Sequence, residues 1–221
     1  MKLLIASPNE RKIKWMKFIF QNLDLEIETL SSIGYDPICK EDGKSFETNS
    51  VVKAIEPAIL YAGKGYIVVS DDGGVEFDIP IDRVALRSHR IDTSIRDKNA
   101  AILDMIDFLL EPKNTAHFKG ACTVAWNGDG HYINFHTITY ESESDIRIRN
   151  IDPDDLPSEN ATLYYDILER VYPDGTGIPL CNMDMLQLME TTGALSAYSR
   201  VDSIIRAILD NGGTQYGSKE I

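Results

Sequence analysis

The amino-acid sequence predicts an α/β protein built on a mixed β-sheet. In the first 110 residues, short apolar runs alternate with segments whose apolar residues recur at helical spacing. Two further strand-like runs flank NGDG at 127–130, a sequence typical of a hairpin turn. The last third of the chain has helical spacing.

Each predicted element rests on a local pattern. YIVVS at 66–70 is a continuous apolar run, which is typical of a strand buried on both faces of a sheet. A helix is expected to begin near Phe46 and to be kinked by Pro57. In chain order, strands are predicted at 2–7, 25–33, 66–70, 116–126 and 131–141, and helices at 10–21, from 46, and at 99–110, 160–172, 183–192 and 196–210.

Composition narrows the possible functions. The net charge of −13 disfavours nucleic-acid binding, which needs clustered Lys and Arg. No apolar run approaches the roughly 20 residues that span a bilayer, so we expect no membrane segment and a cytoplasmic protein. Three cysteines that lie far apart predict reduced structural thiols and no disulfide framework; they are Cys39, Cys122 and Cys181.

Polar residues follow the first predicted strand in ASPNERK at 6–12. The unpaired N–H groups of a helix N-terminus favour anions, and Ser7, Asn9 and Lys12 add polar and cationic groups to a possible phosphate cradle. The alternative is an ordinary helix cap with a solvated lysine. This stretch alone favours the cap, because Ser and Asn are common N-cap residues.

A pair of carboxylates follows the strand at 66–70, in SDDGG at 70–74. Adjacent side chains on a strand point to opposite faces, so one carboxylate could hold Mg²⁺ or take a proton from water. The other could cap the turn or meet a lysine. The alternative is an Asp-Gly turn between two strands, and this pattern does not separate the two interpretations.

A third stretch, at 39–54, carries further candidates. Glu41 could be a second metal carboxylate, and Ser45 is typical of an N-cap. Asn49 and Lys53 are four residues apart and share a helix face. The alternative is a solvated helix face.

Taken in order, these stretches resemble the inosine triphosphate pyrophosphatase family, the non-canonical purine NTP pyrophosphatases. SPNERK at 7–12 resembles the family's T-x-N-x-x-K, and residues 41–54 resemble E-x-G-x-[TS]-F-x-x-N-A-x-x-K-A, with Ser50 in place of alanine. DDGGVEF at 71–77 resembles D-D-S-G-L-x-V, with Gly73 in place of serine, and Ser88-His89-Arg90 resembles S-A-R. The spacings agree as far as the strand at 116–126.

The C-terminal third departs from the family pattern. Leu163-Tyr164-Tyr165-Asp166 keeps only Tyr-Asp of F-G-Y-D-P-x-F, and Tyr198-Ser199-Arg200 stands where the family has S-H-R. These changes bear on base recognition more than on phosphate chemistry. Two alternatives therefore stay open: the same reaction on a pyrimidine or modified nucleotide, and a nucleotide-binding homologue without catalysis.

The resemblance implies one domain over 1–221, with two lobes around an elongated mixed sheet flanked by helices. It also implies a Mg²⁺-dependent hydrolase that converts ITP, dITP or XTP to the monophosphate and pyrophosphate, as a cytoplasmic homodimer. Asp72 matches the catalytic base, Asp71 is expected to orient a neighbour, and Glu41 and Asp72 are the metal candidates. Candidate nucleotide-binding residues are Ser7, Asn9, Lys12, Lys53, Gly73, Arg90, Tyr165, Asp166, Ser199 and Arg200. Arg90 is equally suited to a structural ion pair. Three histidines are expected to be surface residues and not ligands: His117, His131 and His136.

Overall fold

The mixed α/β class that the sequence predicts is confirmed in a computed structural model. The structure describes residues 1–36, 43–61, 64–77, 95–108, 115–128, 132–156 and 164–212. Its elements are β1 (Lys2–Ile5), α1 (Glu10–Phe20), β2 (Glu26–Thr29), α2 (Phe46–Leu60), β3 (Tyr66–Phe77), α3 (Ile95–Phe108), β4 (Thr115–Asn127), β5 (Ile133–Glu141), β6 (Asp145–Ile148), β7 (Leu168–Val171), β8 (Gly177–Pro179), α4 (Met185–Thr192) and α5 (Ala194–Asp210). None of the helices in these ranges is long and apolar enough to cross a bilayer.

The chain divides into two compact units. The first contains Met1–Asp72, Gly120–Tyr140 and the segment from Ala194 onward. The second contains Gly73–Lys119 and Glu141–Gly193. β3 and β4 each contribute residues to both units.

In the first unit, the strands follow the order β2-β1-β3-β4-β5. β1 pairs in parallel with both β2 and β3, with Leu3 opposite Ile27 and Ile67. These parallel pairs require crossover connections, which α1 and α2 provide. Ala54 and Ala58 of α2 pack on Val68 and its neighbours in the sheet, while α1 packs against α5.

In the second unit, the strands follow the order β3-β4-β6-β7-β8. β6 pairs antiparallel with β4 and β7, and β7 pairs antiparallel with β8. A capping box begins α4, in which Asp184 accepts from the backbone of Gln187 and the Gln187 side chain accepts from the backbone of Asp184. Gly193 ends α4 in the left-handed conformation.

The Asp-Gly turn that was one of two alternatives for 70–74 is wrong. β3 continues through Asp71, Asp72, Gly73 and Gly74 to Phe77. β3 pairs with β1 over Tyr66–Val69 and has β4 as its other neighbour, and this strand pairing outweighs the turn preference of Asp and Gly.

Other boundaries differ from the prediction. β2 ends at Thr29, and residues 30–34 form a turn. α2 continues through Pro57, and the N–H of Tyr61 donates to the Pro57 carbonyl at 2.9 Å. The helix expected at 160–172 is wrong, since 164–167 form a turn and Leu168–Val171 form β7. The helices predicted at 183–192 and 196–210 are confirmed as α4 and α5.

Candidate functional site

Two adjacent carboxylates on β3 each hold a different lysine. Asp71 is fully buried and forms an ion pair with Lys12 of α1. Asp72 forms an ion pair with Lys53 of α2, with Nζ and Oδ1 2.8 Å apart. Successive side chains of a strand point to opposite faces, so one strand serves two helices. The prediction that one carboxylate could contact a lysine is confirmed, and it holds for both Asp71 and Asp72.

The N-terminus of α1 is organised by its cap. Asn9 Oδ1 accepts from the backbone N–H groups of Arg11 at 3.0 Å and Lys12 at 3.3 Å. The Asn9 N–H donates to Ser7 Oγ at 3.2 Å, and Ser7 is buried. The helix-cap interpretation is therefore confirmed for Asn9. The solvated lysine that accompanied it is wrong, because the Lys12 side chain is 14% exposed and ion-paired.

On the α2 side, Asn49 connects Asp72 to the chain before the helix. Its Nδ2 donates to Asp72 Oδ2 at 2.9 Å, and its Oδ1 accepts from the Gly43 N–H at 2.9 Å. Ser45 is the N-cap, as predicted, and accepts from the Thr48 N–H at 3.2 Å. The solvated face considered for Asn49 and Lys53 is wrong, because Asn49 is buried and Lys53 is directed to Asp72.

Buried hydroxyls fix α2 on the sheet. Ser50 Oγ lies 3.1 Å from Ser70 Oγ and donates to Thr123 Oγ1 at 2.9 Å. Thr123 Oγ1 in turn lies 2.9 Å from Thr137 Oγ1 of β5. Ser50 follows Asn49, and Ser70 precedes Asp72 by two residues. This hydroxyl chain therefore holds the helix and strand that carry one ion pair of the site.

Two further side chains meet Asp71 from β4 and β5. The Tyr140 hydroxyl donates to Asp71 Oδ2 at 2.9 Å, and the Cys122 thiol donates to the same oxygen at 3.2 Å. Burial, followed by the Asp71 charge, raises the pKa of Tyr140 well above its ordinary value. The same two causes, in the same order, raise the pKa of the Cys122 thiol. Both groups are therefore neutral donors at physiological pH.

Gly120 makes room for Tyr140. A Cβ at this position would lie 2.3 Å from Tyr140 Cζ, 2.4 Å from its hydroxyl oxygen and 2.8 Å from the Asp72 carbonyl oxygen. The absence of a side chain therefore lets the phenol ring lie across β4 and reach Asp71.

Further predicted site residues lie on α5 and on β3. Ser199 and Arg200 are exposed on α5 in the first unit, and Ser199 Oγ donates to the Leu195 carbonyl at 2.8 Å. Gly73 belongs to β3 within the second unit. Glu41 and Arg90 lie outside the described residues. Across the part of the chain that is described, His, Cys, Asp and Glu form no group of three suited to a metal.

Tyr165 and Asp166 lie in the turn before β7, in the second unit. Tyr165 is buried, with its ring edge-on to Phe118 at 5.9 Å, and the Asp166 carbonyl accepts from Arg149 Nη1 at 2.7 Å. Tyr164 and Tyr165 therefore lie in a turn and not in the helix predicted at 160–172. Tyr164 adopts φ of 69°, a left-handed backbone conformation.

The predictions for the cysteines and histidines are confirmed only in part. Cys122 and Cys181 are free thiols, as predicted, but Cys181 is exposed. His136 is exposed and His117 is half-buried. Cys39 and His131 lie outside the described residues.

Sequence reasoning missed the β4 and β5 contribution to the site. Gly120, Cys122 and Tyr140 became relevant only through their contacts with Asp71 and Asp72. The one available signal was Gly120 within an otherwise continuous strand pattern, since an isolated glycine there indicates a close approach. Its partner, 20 residues further along the chain, could not be read from that signal.

Comparisons with known proteins were consistent at the level of family. A model described as "Ham1 family" matches residues 3–141. The dITP/XTP pyrophosphatase of Streptococcus pneumoniae serotype 4 is 31% identical over 149 residues, which are 60% of this chain and 72% of that relative. The dITP/XTP pyrophosphatase of Clostridium perfringens is 41% identical over 80 residues, or 35% of this chain.

This chain spans only part of the length of the relatives it matches in sequence, but nearly the full length of the solved structures it matches. The chain spans 39% of the C. perfringens relative and 66% of a dITP/XTP pyrophosphatase from Elusimicrobium minutum, to which it is 33% identical over 57% of its own length. The Staphylococcus aureus Ham1 protein has a TM-score of 0.67 at 19% identity, and a HAM1 protein from Coxiella burnetii has 0.69 at 15%. Each structural match covers 93% of this chain and 98% of the solved chain, and supports the fold alone.

Proposed function

The chain belongs to the Ham1 family, and from this premise we propose that it hydrolyses a nucleoside triphosphate to the monophosphate and pyrophosphate. The observation that carries the proposal is the pair of adjacent carboxylates on β3, each held by its own lysine. Such an arrangement brings a base and two cations to one strand, and cleavage of a phosphoanhydride needs both.

Asp72 is the proposed base that activates water. Its side chain is 13% exposed, whereas that of Asp71 has no exposed surface. Only Asp72 can therefore approach water or substrate without a change in its surroundings. Lys53 and Asn49 fix the orientation of the Asp72 carboxylate, so that it can take the proton from a water molecule.

Mg²⁺ is the proposed cofactor, and Asp72 suits it. Each Asp72 oxygen receives one donor, from Lys53 and from Asn49, and a carboxylate oxygen has a second lone pair available. Asp71 suits a metal less well, because Lys12 contacts one of its oxygens and two donors, Tyr140 and Cys122, already bind the other. Asp72 and Glu41 would hold the ion, which would neutralise charge on the phosphate oxygens.

The nucleotide would contact several elements. Ser7, Asn9, the N-terminus of α1, Lys12 and Lys53 would bind the triphosphate. Gly73 and Arg90 are proposed as additional phosphate contacts. Residues proposed to face the sugar or base are Tyr165, Asp166, Ser199 and Arg200. We further propose one domain with two lobes, a cytoplasmic location and a homodimer.

A non-canonical purine nucleotide is the proposed substrate class, since the relatives described above are named dITP/XTP pyrophosphatases. The second candidate is a pyrimidine or modified nucleotide. The specific observation in its favour is the turn at Tyr164, whose left-handed backbone and buried ring stand where the family pattern has glycine.

The test is a substrate panel. Purified protein would be incubated with Mg²⁺ and ITP, dITP, XTP, dUTP or the ordinary NTPs, and release of pyrophosphate and monophosphate measured. Preference for ITP, dITP or XTP is expected. Release from another nucleotide would favour the second candidate, and binding without release from any nucleotide would favour a non-catalytic homologue. Orthophosphate as the product would contradict the proposed bond cleavage.

A further inference from the structure

We propose that Tyr140 and Cys122 are positioning residues, which act through Asp71 to hold the Lys12 ammonium for a phosphate group of the ligand. This inference rests on the proposed function, because it assigns Lys12 to phosphate binding. It adds a contribution from β4 and β5 to the two ion pairs of the site, whose residues lie on β3, α1 and α2.

The two oxygens of the Asp71 carboxylate contact different partners. Lys12 lies against Oδ1, while the Tyr140 hydroxyl and the Cys122 thiol both donate to Oδ2. The Tyr140 position depends on Gly120, where any side chain would overlap the phenol ring. The three residues form an Asp71 socket, which we define as Gly120, Cys122 and Tyr140.

The donors of the Asp71 socket change how strongly Asp71 holds Lys12. Asp71 is fully buried, and a buried carboxylate is costly unless each oxygen has a partner. With only Lys12 as partner, Asp71 would hold the ammonium tightly and cancel most of its charge. Two neutral donors on Oδ2 stabilise part of the negative charge, so Lys12 is fixed in place and keeps a positive potential for an incoming anion.

Lys12 retains the means to bind a second anion. An ammonium has three N–H donors, and the Lys12 side chain is 14% exposed beside a carboxylate with no exposure. Its backbone lies in the first turn of α1, where the helix N-terminus also favours anions. A fixed lysine loses little side-chain entropy when a phosphate binds, which favours affinity.

The two carboxylates therefore have different surroundings. Asp72 receives Lys53 and Asn49, and its side chain is partly exposed. Asp71 receives Lys12, Tyr140 and Cys122, and is sealed. This difference assigns Asp71 to positioning a cation and leaves Asp72 for contact with the ligand.

The first experiment compares donors that are removed or kept. Tyr140→Phe and Cys122→Ala each remove one hydrogen bond to Asp71, whereas Cys122→Ser keeps a donor. We expect the Kd for inorganic pyrophosphate to rise about fivefold in the first two variants, which is the net effect of one ordinary hydrogen bond. The effect is smaller than that of a direct contact with the charged ligand, because it reaches the ligand through Asp71 and Lys12. Cys122→Ser should restore wild-type affinity to within about twofold. KM should rise with the Kd while kcat stays nearly constant.

A matched control removes a tyrosine hydroxyl from another carboxylate. Tyr66 donates to Glu28 in the same unit, and it is the first residue of β3, five residues before Asp71. Tyr66→Phe should leave the pyrophosphate Kd unchanged. An equal loss in Tyr66→Phe and Tyr140→Phe would overturn the proposal, since it would indicate a general effect of lost stability.

The second experiment is a double-mutant cycle with Lys12→Gln. If Tyr140 acts through Lys12, then Tyr140→Phe should change the pyrophosphate Kd by less than about 1.5-fold when Lys12 is already replaced. Full additivity would overturn the proposal, as would a wild-type protein that does not bind pyrophosphate. Pyrophosphate binding that shows this coupling, in a protein without turnover on any nucleotide, would support the positioning role and contradict only the proposed hydrolysis.

Discussion

The Asn49 side chain joins the Gly43 N–H to Asp72 Oδ2, with 2.9 Å at each hydrogen bond. Asn49 thereby connects the chain that follows Glu41 to the proposed base. Because the amide uses its oxygen on one side and its nitrogen on the other, neither aspartate nor a small side chain can replace it.

Replacement of Asn49 should separate loss of a donor from gain of a charge. Asn49→Ala removes both hydrogen bonds, and we expect a loss of about 2 kcal/mol in the free energy of unfolding and about tenfold in pyrophosphate release. Asn49→Asp keeps the acceptor for Gly43 but places a second carboxylate against Asp72, so its activity should be lower still. Urea unfolding and pyrophosphate release would measure both effects. Asn182→Asp, at an exposed position, is the control, and equal activity of the two Asn49 variants would contradict the argument.

Asp72→Asn should remove turnover and keep the fold. The substitution preserves the size of the side chain, but the amide cannot take a proton from water, and it keeps an acceptor for only one of the two donors, Lys53 and Asn49. We expect pyrophosphate release to fall by at least about 100-fold, the typical contribution of a general base. Asp202→Asn, which changes a surface pair with Arg206, is the control and should retain full activity. Near wild-type release by Asp72→Asn, with circular dichroism unchanged, would exclude Asp72 as the base.

Gly120 should tolerate no side chain. An alanine Cβ would lie within 2.4 Å of the Tyr140 ring and hydroxyl and 2.8 Å from the Asp72 carbonyl oxygen, so either the tyrosine or β3 must move. We expect Gly120→Ala to lower the free energy of unfolding by about 1–3 kcal/mol and to weaken pyrophosphate binding. Gly177→Ala is the strand control, because the three atoms nearest to its Cβ belong to the Glu169 carboxylate, which is the far end of a flexible side chain and not backbone or a ring. Equal stability of the two variants would contradict the packing argument.

The parts of this protein that the sequence predicted are those set by local patterns. Apolar spacing located α1, α2, α4 and α5, and the Asn9 and Ser45 caps followed from residue type. The continuation of β3 through Asp71–Gly74 was missed, because its pairing partners lie far away in the chain. Local propensity is a weak guide to such a strand.

The candidate site also has one part that local spacing predicted and one part that it did not. Asn49 and Lys53 share one helix face, so their approach to a common point could be read from spacing. The Lys12–Asp71 pair and the Tyr140 contact join residues 59 and 69 positions apart, and only the order of strands brings them together. No local pattern in the sequence encodes that order.

Alkaline pH should reduce stability through Tyr140. Burial and the Asp71 charge raise its pKa in the folded state above its ordinary value of 10.0, so the folded protein binds this proton more tightly than the unfolded chain. The contribution of the protonated Tyr140 hydroxyl to the free energy of unfolding is fully present below about pH 10, and it is lost as the pH rises through the pKa of the folded state. Wild type should therefore lose stability more steeply above pH 10 than Tyr140→Phe, in urea unfolding followed across this range. Tyr132→Phe, at an exposed position, should follow the wild type. Parallel curves for wild type and Tyr140→Phe would contradict the burial of the phenol.

At position 164, glycine should give a more stable protein than alanine, which is the reverse of the usual order. Its φ of 69° is unfavourable for any residue with a Cβ, by roughly 1–2 kcal/mol. Its N–H donates to Asn99 Oδ1 at 3.2 Å, and its ring lies edge-on to Phe77 at 5.5 Å with 4% of the residue exposed. Removal of a buried aromatic ring costs about 3–5 kcal/mol, which exceeds the strain, so both Tyr164→Ala and Tyr164→Gly should be less stable than wild type. Of the two, only glycine relieves the backbone strain, and Tyr164→Gly should therefore be more stable than Tyr164→Ala by about 1–2 kcal/mol in urea unfolding.

The control is the same pair of substitutions at Leu188, within α4. It should give the opposite order, because glycine is less favourable than alanine inside a helix. If alanine were the more stable residue at both positions, the left-handed conformation of Tyr164 would be contradicted.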